Sequence, residues 1–122
     1  MSDRYLKFEN PKLQEQFISG LQSTGITFVV EGDTTVTCGE SDYAAVVDIA
    51  HVVRDSCFRW YFRSSEDNMW SSAFRSVLEA AGQPFQIEYH NRRMVFLLPK
   101  GSEALHDELS DRAYEAAYPS RG

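Results

Sequence analysis

Cysteine is nearly absent from this chain: Cys38 and Cys57 form no CxxC pair, and no cluster of Cys and His has the spacing of a zinc site. That leaves no disulfide framework to expect, and the two thiols are predicted to be free and buried. Long apolar runs are missing too. The uninterrupted ones extend over only a few residues, too short for a membrane span, and the opening MSDRYLKFEN has neither the basic start nor the apolar core of a secretory signal. The expectation is a cytoplasmic protein with no membrane partner. No glycine-rich phosphate loop occurs, since Gly20, Gly25, Gly32 and Gly39 each read as a turn or helix-end residue. No HExxH-like spacing joins His90 or His106 to Glu88, Asp107 or Glu108, so neither metal nor cofactor is expected. Positive charge is scarce as well: 12 Lys and Arg stand against 18 Asp and Glu, a net charge of −6 that opposes general affinity for phosphate backbones. An acidic chain instead favours a basic partner.

What is present reads as one domain over 1–122, because 122 residues with 43% hydrophobic content suit a single core, and no linker, low-complexity segment or repeat divides them. RYLKFE alternates and predicts a short strand. Asn10 and Pro11 open a helix in which Leu13, Phe17 and Leu21 recur four apart, closed at Gly25. ITFVVEGDTTVTC predicts a hairpin turning at GD, with Gly32 supplying the unusual backbone angle. Ser41 opens a second helix, with Ala45, Ile49, Val52 and Val53 toward the sheet, and SCFRWYFRSSE supplies the fourth strand. Up to that point the order is strand, helix, strand, strand, helix, strand, that of a ferredoxin-like split βαβ fold. Ser64 or Ser65 then caps a helix carrying Trp70, Phe74, Val77 and Leu78, PFQIEYHNRRMVFLLP forms a second hairpin turning at NR, and a last helix from Ser102 aligns Leu105, Leu109, Ala113 and Ala116. The predicted fold is α+β: an antiparallel sheet of about five or six strands with helices largely on one face, ferredoxin-like βαββαβ order first and α-ββ-α after it.

Strand alternation gives SCFRWYFRSSE two busy faces. Phe58, Trp60 and Phe62 are assigned to the helix-covered core, leaving Arg59, Tyr61 and Arg63 on an open face beside Gln86, Glu88 and His90. There Glu88 is expected to pair with Arg59 or Arg63 across the sheet. Arg59, Tyr61 and Arg63 also imitate the exposed aromatic between basic residues of an RNA-recognition sheet, but the glycine and aromatic spacing of that motif are missing, and the net charge opposes it. The same face is the candidate anion site of a small-molecule-binding regulatory domain of ferredoxin-like type. For catalysis, His51, Asp48, Asp55 and Cys57 are the only compact set: His51 lies three residues from Asp48 and four from Asp55, and a thiol mechanism would need a lowered Cys57 pKa. The plainer account makes His51 a helix histidine and Cys57 a small buried hydrophobe, and no enzyme is expected.

Acidic residues form two runs. Glu31, Asp33, Glu40 and Asp42 gather around the first hairpin, and Asp107, Asp111 and Glu115 lie on the last helix beside Tyr114 and Tyr118. Carboxylates next to tyrosines suit recognition of a basic protein surface, the acids supplying complementarity and the rings contact area. In size, in the acidic runs EGDTTVTCGESD and SEALHDELSDRAYE and in its mixed α+β order, the chain resembles the small immunity proteins that protect bacteria from toxins of contact-dependent growth inhibition. That resemblance implies a non-enzymatic inhibitor that binds a cognate toxin domain, often a basic nuclease, and covers its substrate cleft with acids. Those families share no diagnostic motif, so no functional residue is carried over from them.

Overall fold

The computed structural model describes residues 3–119. Alternation builds the first strand, β1 (Asp3–Phe8), which buries Leu6 and Phe8. The helix α1 (Pro11–Thr24) begins where the Asn10 side chain accepts the Lys12 and Leu13 N–H groups, and it stops at Gly25, whose φ of 70° no β-carbon opposes. β2 (Val29–Val30) and β3 (Val36–Gly39) form the first hairpin, and a 3₁₀ turn over Glu40–Asp42 leads into α2 (Tyr43–Asp55). β4 (Trp60–Ser64), α3 (Asn68–Ala80), β5 (Gln86–His90), β6 (Arg93–Pro99) and α4 (Glu103–Ala117) complete the chain.

All six strands join one antiparallel sheet in the order β2-β3-β1-β5-β6-β4. The α+β class and the chain order are as the sequence predicts. The sheet is not spliced as a ferredoxin-like split βαβ would be, because β5 takes the place beside β1 and β4 lies at the far edge beside β6. The helices also depart from the expected single face. Pairing of Leu6 with Val36, Phe8 with Glu88, Glu88 with Val95 and Leu97 with Phe62 puts these side chains on one face. α1 and α2 cover that face over β1 and β3, packing Leu13, Phe17, Leu21, Val46, Ala50 and Val53 on Leu6, Phe8 and Val36. α3 and α4 cover the opposite face over β5, β6 and β4, packing Trp70, Phe74, Leu78, Leu109 and Ala113 on Ile87, Phe96 and Leu98. The reason is written in β6: Val95, Phe96, Leu97 and Leu98 are consecutive and all buried, which requires cover on both faces of the strand. The face of β1 and β3 opposite α1 and α2 is therefore left without a helix, and over the outer side of β4 the cover thins to the end of α2.

Local corrections follow from polar partners. α2 turns Val46, Ala50, Val53 and Arg54 inward, leaving Ala45 and Val52 exposed and Ile49 half-buried, because Arg54 finds a carboxylate beneath it. Asp67, rather than Ser64 or Ser65, caps α3 by accepting the Met69 and Trp70 N–H groups. In the first hairpin the left-handed residue is Thr34, at φ 70°, and not Gly32. Where α1 crosses α2, a β-carbon on Gly20 would lie 2.7 Å from Ile49 Cγ2. Gly20→Ala is thus expected to lower the urea midpoint, the steric cost of about 1–3 kcal/mol exceeding the helix-propensity gain of about 1 kcal/mol.

Candidate functional site

The stretch around β4 is built with its faces exchanged relative to expectation. Tyr61 points under α4, its hydroxyl 2.6 Å from His106 Nδ1, and Arg63 donates to Asp107 at 2.7 Å while lying over the Tyr61 ring. Only Arg59 of the expected open trio stays exposed. Trp60 and Phe62 lie on the face that α1 and α2 cover, at its edge, where only the last turns of α2 reach them through His51, Arg54 and Asp55, and Phe62 stays 38% exposed. α4 accounts for the exchange: a partly buried tyrosine needs a partner for its hydroxyl, and His106 supplies it. Burial, helped by Arg63, pushes the His106 pKa down, and burial pushes the Tyr61 hydroxyl up.

Beneath Trp60 and Phe62 lies a buried ionic network. Glu88 takes Arg54 Nε at 2.8 Å and Nη2 at 2.6 Å, and His90 Nε2 lies 2.7 Å from the same carboxylate. Arg54 Nη1 stands 2.9 Å from His51 Nδ1, and the guanidinium carbon sits 4.8 Å from the Phe62 ring centre and 5.4 Å from that of Trp60. Glu88 therefore pairs with α2, not with Arg59 or Arg63. Burial acts to raise its pKa, but the hydrogen bonds and charges of Arg54 and His90 together hold it below the usual carboxylate range. His51 is spent on Arg54 and stacks on Trp60, while Asp55 accepts the Trp60 indole N–H at 2.8 Å. Cys57 is half-buried, and burial pushes its thiol pKa up, opposite to the activation a nucleophile needs; Cys38 is buried and shifted the same way. His51 and Cys57 are not brought together as base and nucleophile. Among the described residues no three His, Cys, Asp or Glu side chains are grouped to hold a metal ion.

The uncovered half-face over β1 forms a cleft of about 630 Å³ lined by Tyr5, Lys7, Glu31, Asp33, Tyr89 and Arg92, within the size range of small-molecule sites. Tyr5 and Tyr89 give it an aromatic floor. Glu9 at its end is already neutralised, accepting two bonds from Arg75 and one from the Tyr89 hydroxyl. Glu31 accepts the Thr37 hydroxyl at 3.1 Å, and Lys7 Nζ donates to the Asp33 carbonyl. Hydrogen bonds from Thr35 hold the Asp33 carboxyl below its usual pKa.

The expected partner-binding acids are thus separated into three places. Glu31 and Asp33 rim the cleft. Glu40 is clamped by Arg4 at 2.7 and 3.0 Å, which holds its carboxyl low, and Asp42 is half-buried in the 3₁₀ turn. Asp107, Asp111, Tyr114 and Glu115 lie on α4, where Asp107 is engaged by Arg63 and Glu108 by Arg112, while Asp111 and Glu115 make no ion pair among the described residues. Tyr114 is 46% and Tyr118 52% exposed, yet neither ring is loose: Tyr114 packs 5.8 Å from Trp70, and Tyr118 donates to Asp67 at 2.7 Å. The cleft residues Tyr5, Lys7, Tyr89 and Arg92 were not expected at a site. One signal for them is legible, an arginine at the second place of the NR turn, where glycine is the usual residue.

No protein-family model matches the chain, and no match was found among curated proteins or solved structures. Among the described residues, no helix is long and apolar enough to cross a membrane.

Proposed function

We propose that the chain is a non-enzymatic inhibitor of the immunity type, which neutralises a basic, nuclease-type bacterial toxin domain with the outer face of α4. The observation that carries the reading is the pairing of two exposed but anchored tyrosines, Tyr114 and Tyr118, with the carboxylates of Asp111 and Glu115, which make no ion pair among the described residues. Over Glu103–Ala117 there are five acids and one arginine, so the helix offers a polyanion-like stripe to a surface evolved to hold phosphates. Rings already held by Trp70 and Asp67 lose little freedom on binding, which favours them as interface anchors. The first hairpin supports the reading less, because Glu40 is spent on Arg4 and the cleft mixes Lys7 and Arg92 with its acids.

The test compares tagged wild-type protein with Asp111→Lys/Glu115→Lys as baits in lysate of the native organism, followed by binding kinetics with the partner recovered. A basic protein domain held by the wild type, with association slowed about tenfold or more in the double variant at low salt, is the expected outcome. Equal capture by both baits would exclude α4 as the interface, and a partner that is itself acidic would end charge mimicry as the mechanism.

A further inference from the structure

We infer that the cleft over β1 is a binding site for a short zwitterionic peptide of two or three residues, its ammonium end toward Glu31 and Asp33 and its carboxylate toward Arg92. The inference is independent of the inhibitor reading, which uses α4.

The charges in the cleft are laid out across the strands. Tyr5 is paired with Thr37 on one side, and the Thr37 hydroxyl is bonded to Glu31. On the other side Asn91 donates its N–H to the Tyr5 carbonyl at 2.9 Å and accepts the Tyr5 N–H on Oδ1 at 2.9 Å. That pair of hydrogen bonds locks the β5–β6 turn onto β1 and sets the Arg92 guanidinium 5.9 Å from the Tyr5 ring centre. Glu31, the Tyr5 ring and Arg92 therefore stand in a row, with the Lys7 ammonium turned to the Asp33 carbonyl, and Arg92 has no carboxylate within ion-pair distance among the described residues.

Size selects the ligand. The cleft of about 630 Å³ has the volume that takes a drug-sized molecule rather than one α-amino acid. A chain of two or three residues, advancing about 3.3–3.6 Å per residue when extended, is of that size. Tyr5 and Tyr89 offer ring faces on which an aromatic ligand side chain can stack.

Both rims are also held in a costly backbone. Among the described residues the non-glycine positions with positive φ are Thr34, Asn91 and Arg92, and all three belong to the two turns that border this cleft. Glycine at position 92 would suit the turn better, so the arginine is kept there at the expense of stability, as strain at binding sites commonly is.

The experiment follows backbone amides by heteronuclear NMR during titration with Ala-Phe, with N-acetyl-Ala-Phe, which keeps only the anion, and with Ala-Phe-amide, which keeps only the cation. Ala-Phe is expected to shift the Tyr5, Glu31, Asn91 and Arg92 signals, and each blocked form to bind about tenfold or more weakly. Arg92→Gly should lose about tenfold in Ala-Phe affinity while its melting temperature rises by about 2–5 °C. Glu31→Gln, which keeps an acceptor for Thr37, should weaken Ala-Phe and spare N-acetyl-Ala-Phe. Absence of shifts at about 10 mM Ala-Phe, two orders weaker than a 100 μM site would give, overturns the inference. So does binding of both blocked forms as tightly as the zwitterion, or unchanged affinity in Arg92→Gly.

Discussion

Replacing Glu88 with alanine is expected to remove about 3–5 kcal/mol of folding stability, because it leaves the Arg54 charge buried without its carboxylate. The pair is almost wholly shut off from water, with side-chain exposures of 3% for Arg54 and 0% for Glu88. Such a pair gains little over apolar residues of similar volume, yet breaking it from one side is costly. Arg54→Met/Glu88→Leu should therefore recover most of what the single change loses, since Phe8, Trp60 and Phe62 already wall the guanidinium with rings. The carboxyl of Glu88 is held below its ordinary value of 4.5, so the stability it contributes is fully present above about pH 4.5 and disappears as pH falls through the lowered folded value. Urea unfolding at pH 7 and again near pH 3 reads both effects. The wild type should lose more on acidification than the double variant, and equal losses would remove Glu88 as the source of the acid limb.

Why this network escaped the sequence is instructive. An amphipathic pattern counts apolar residues, so an arginine is assigned to solvent and the predicted face of α2 is rotated toward Ala45 and Val52. The face that packs ends in Arg54, and its partner Glu88 lies 34 residues away, on a strand whose neighbours only the sheet order decides. β4 failed for a related reason. Alternation separates Trp60 and Phe62 from Tyr61 and Arg63, but it does not say which set receives a helix, and the deciding contact, from Tyr61 to His106, spans 45 residues. Local chemistry, by contrast, was legible. Asn10, Pro11 and Gly25 bound α1 as predicted, and Asn91 and Arg92 make the second hairpin turn. The acids of α4 were readable as an exposed helical face, because helix periodicity is a short-range property. The cleft was not, since Tyr5, Lys7 and Tyr89 meet only once β1 is seated between β3 and β5.

Phe96→Ala is expected to cost about 3–5 kcal/mol, the range for an aromatic removed from a close-packed core. The ring has no exposure and lies 4.9 Å from Phe74, 5.9 Å from Trp70 and 6.3 Å from Phe85, so its loss leaves a hole that three neighbouring rings cannot close without leaving their rotamers. The further consequence concerns the other face of the sheet. The two hydrophobic clusters share no residue, one lying under α1 and α2 and the other under α3 and α4. They are joined through β5, which is hydrogen-bonded to β1 on one side and β6 on the other, and which carries Ile87 into one cluster and Glu88 toward Arg54 of α2. If β5 came away, each half would keep only about 60 residues and too little buried surface to stand alone, and Arg54 would be stranded. Native-state hydrogen exchange in low urea should therefore show Phe96→Ala lowering the opening free energy of the slowest amides in α1 by as much as in α4, although Phe96 touches neither α1 nor β1's covered face. Loss of protection confined to α3, α4 and β6 would instead divide the molecule into two folding units with the boundary between β1 and β5.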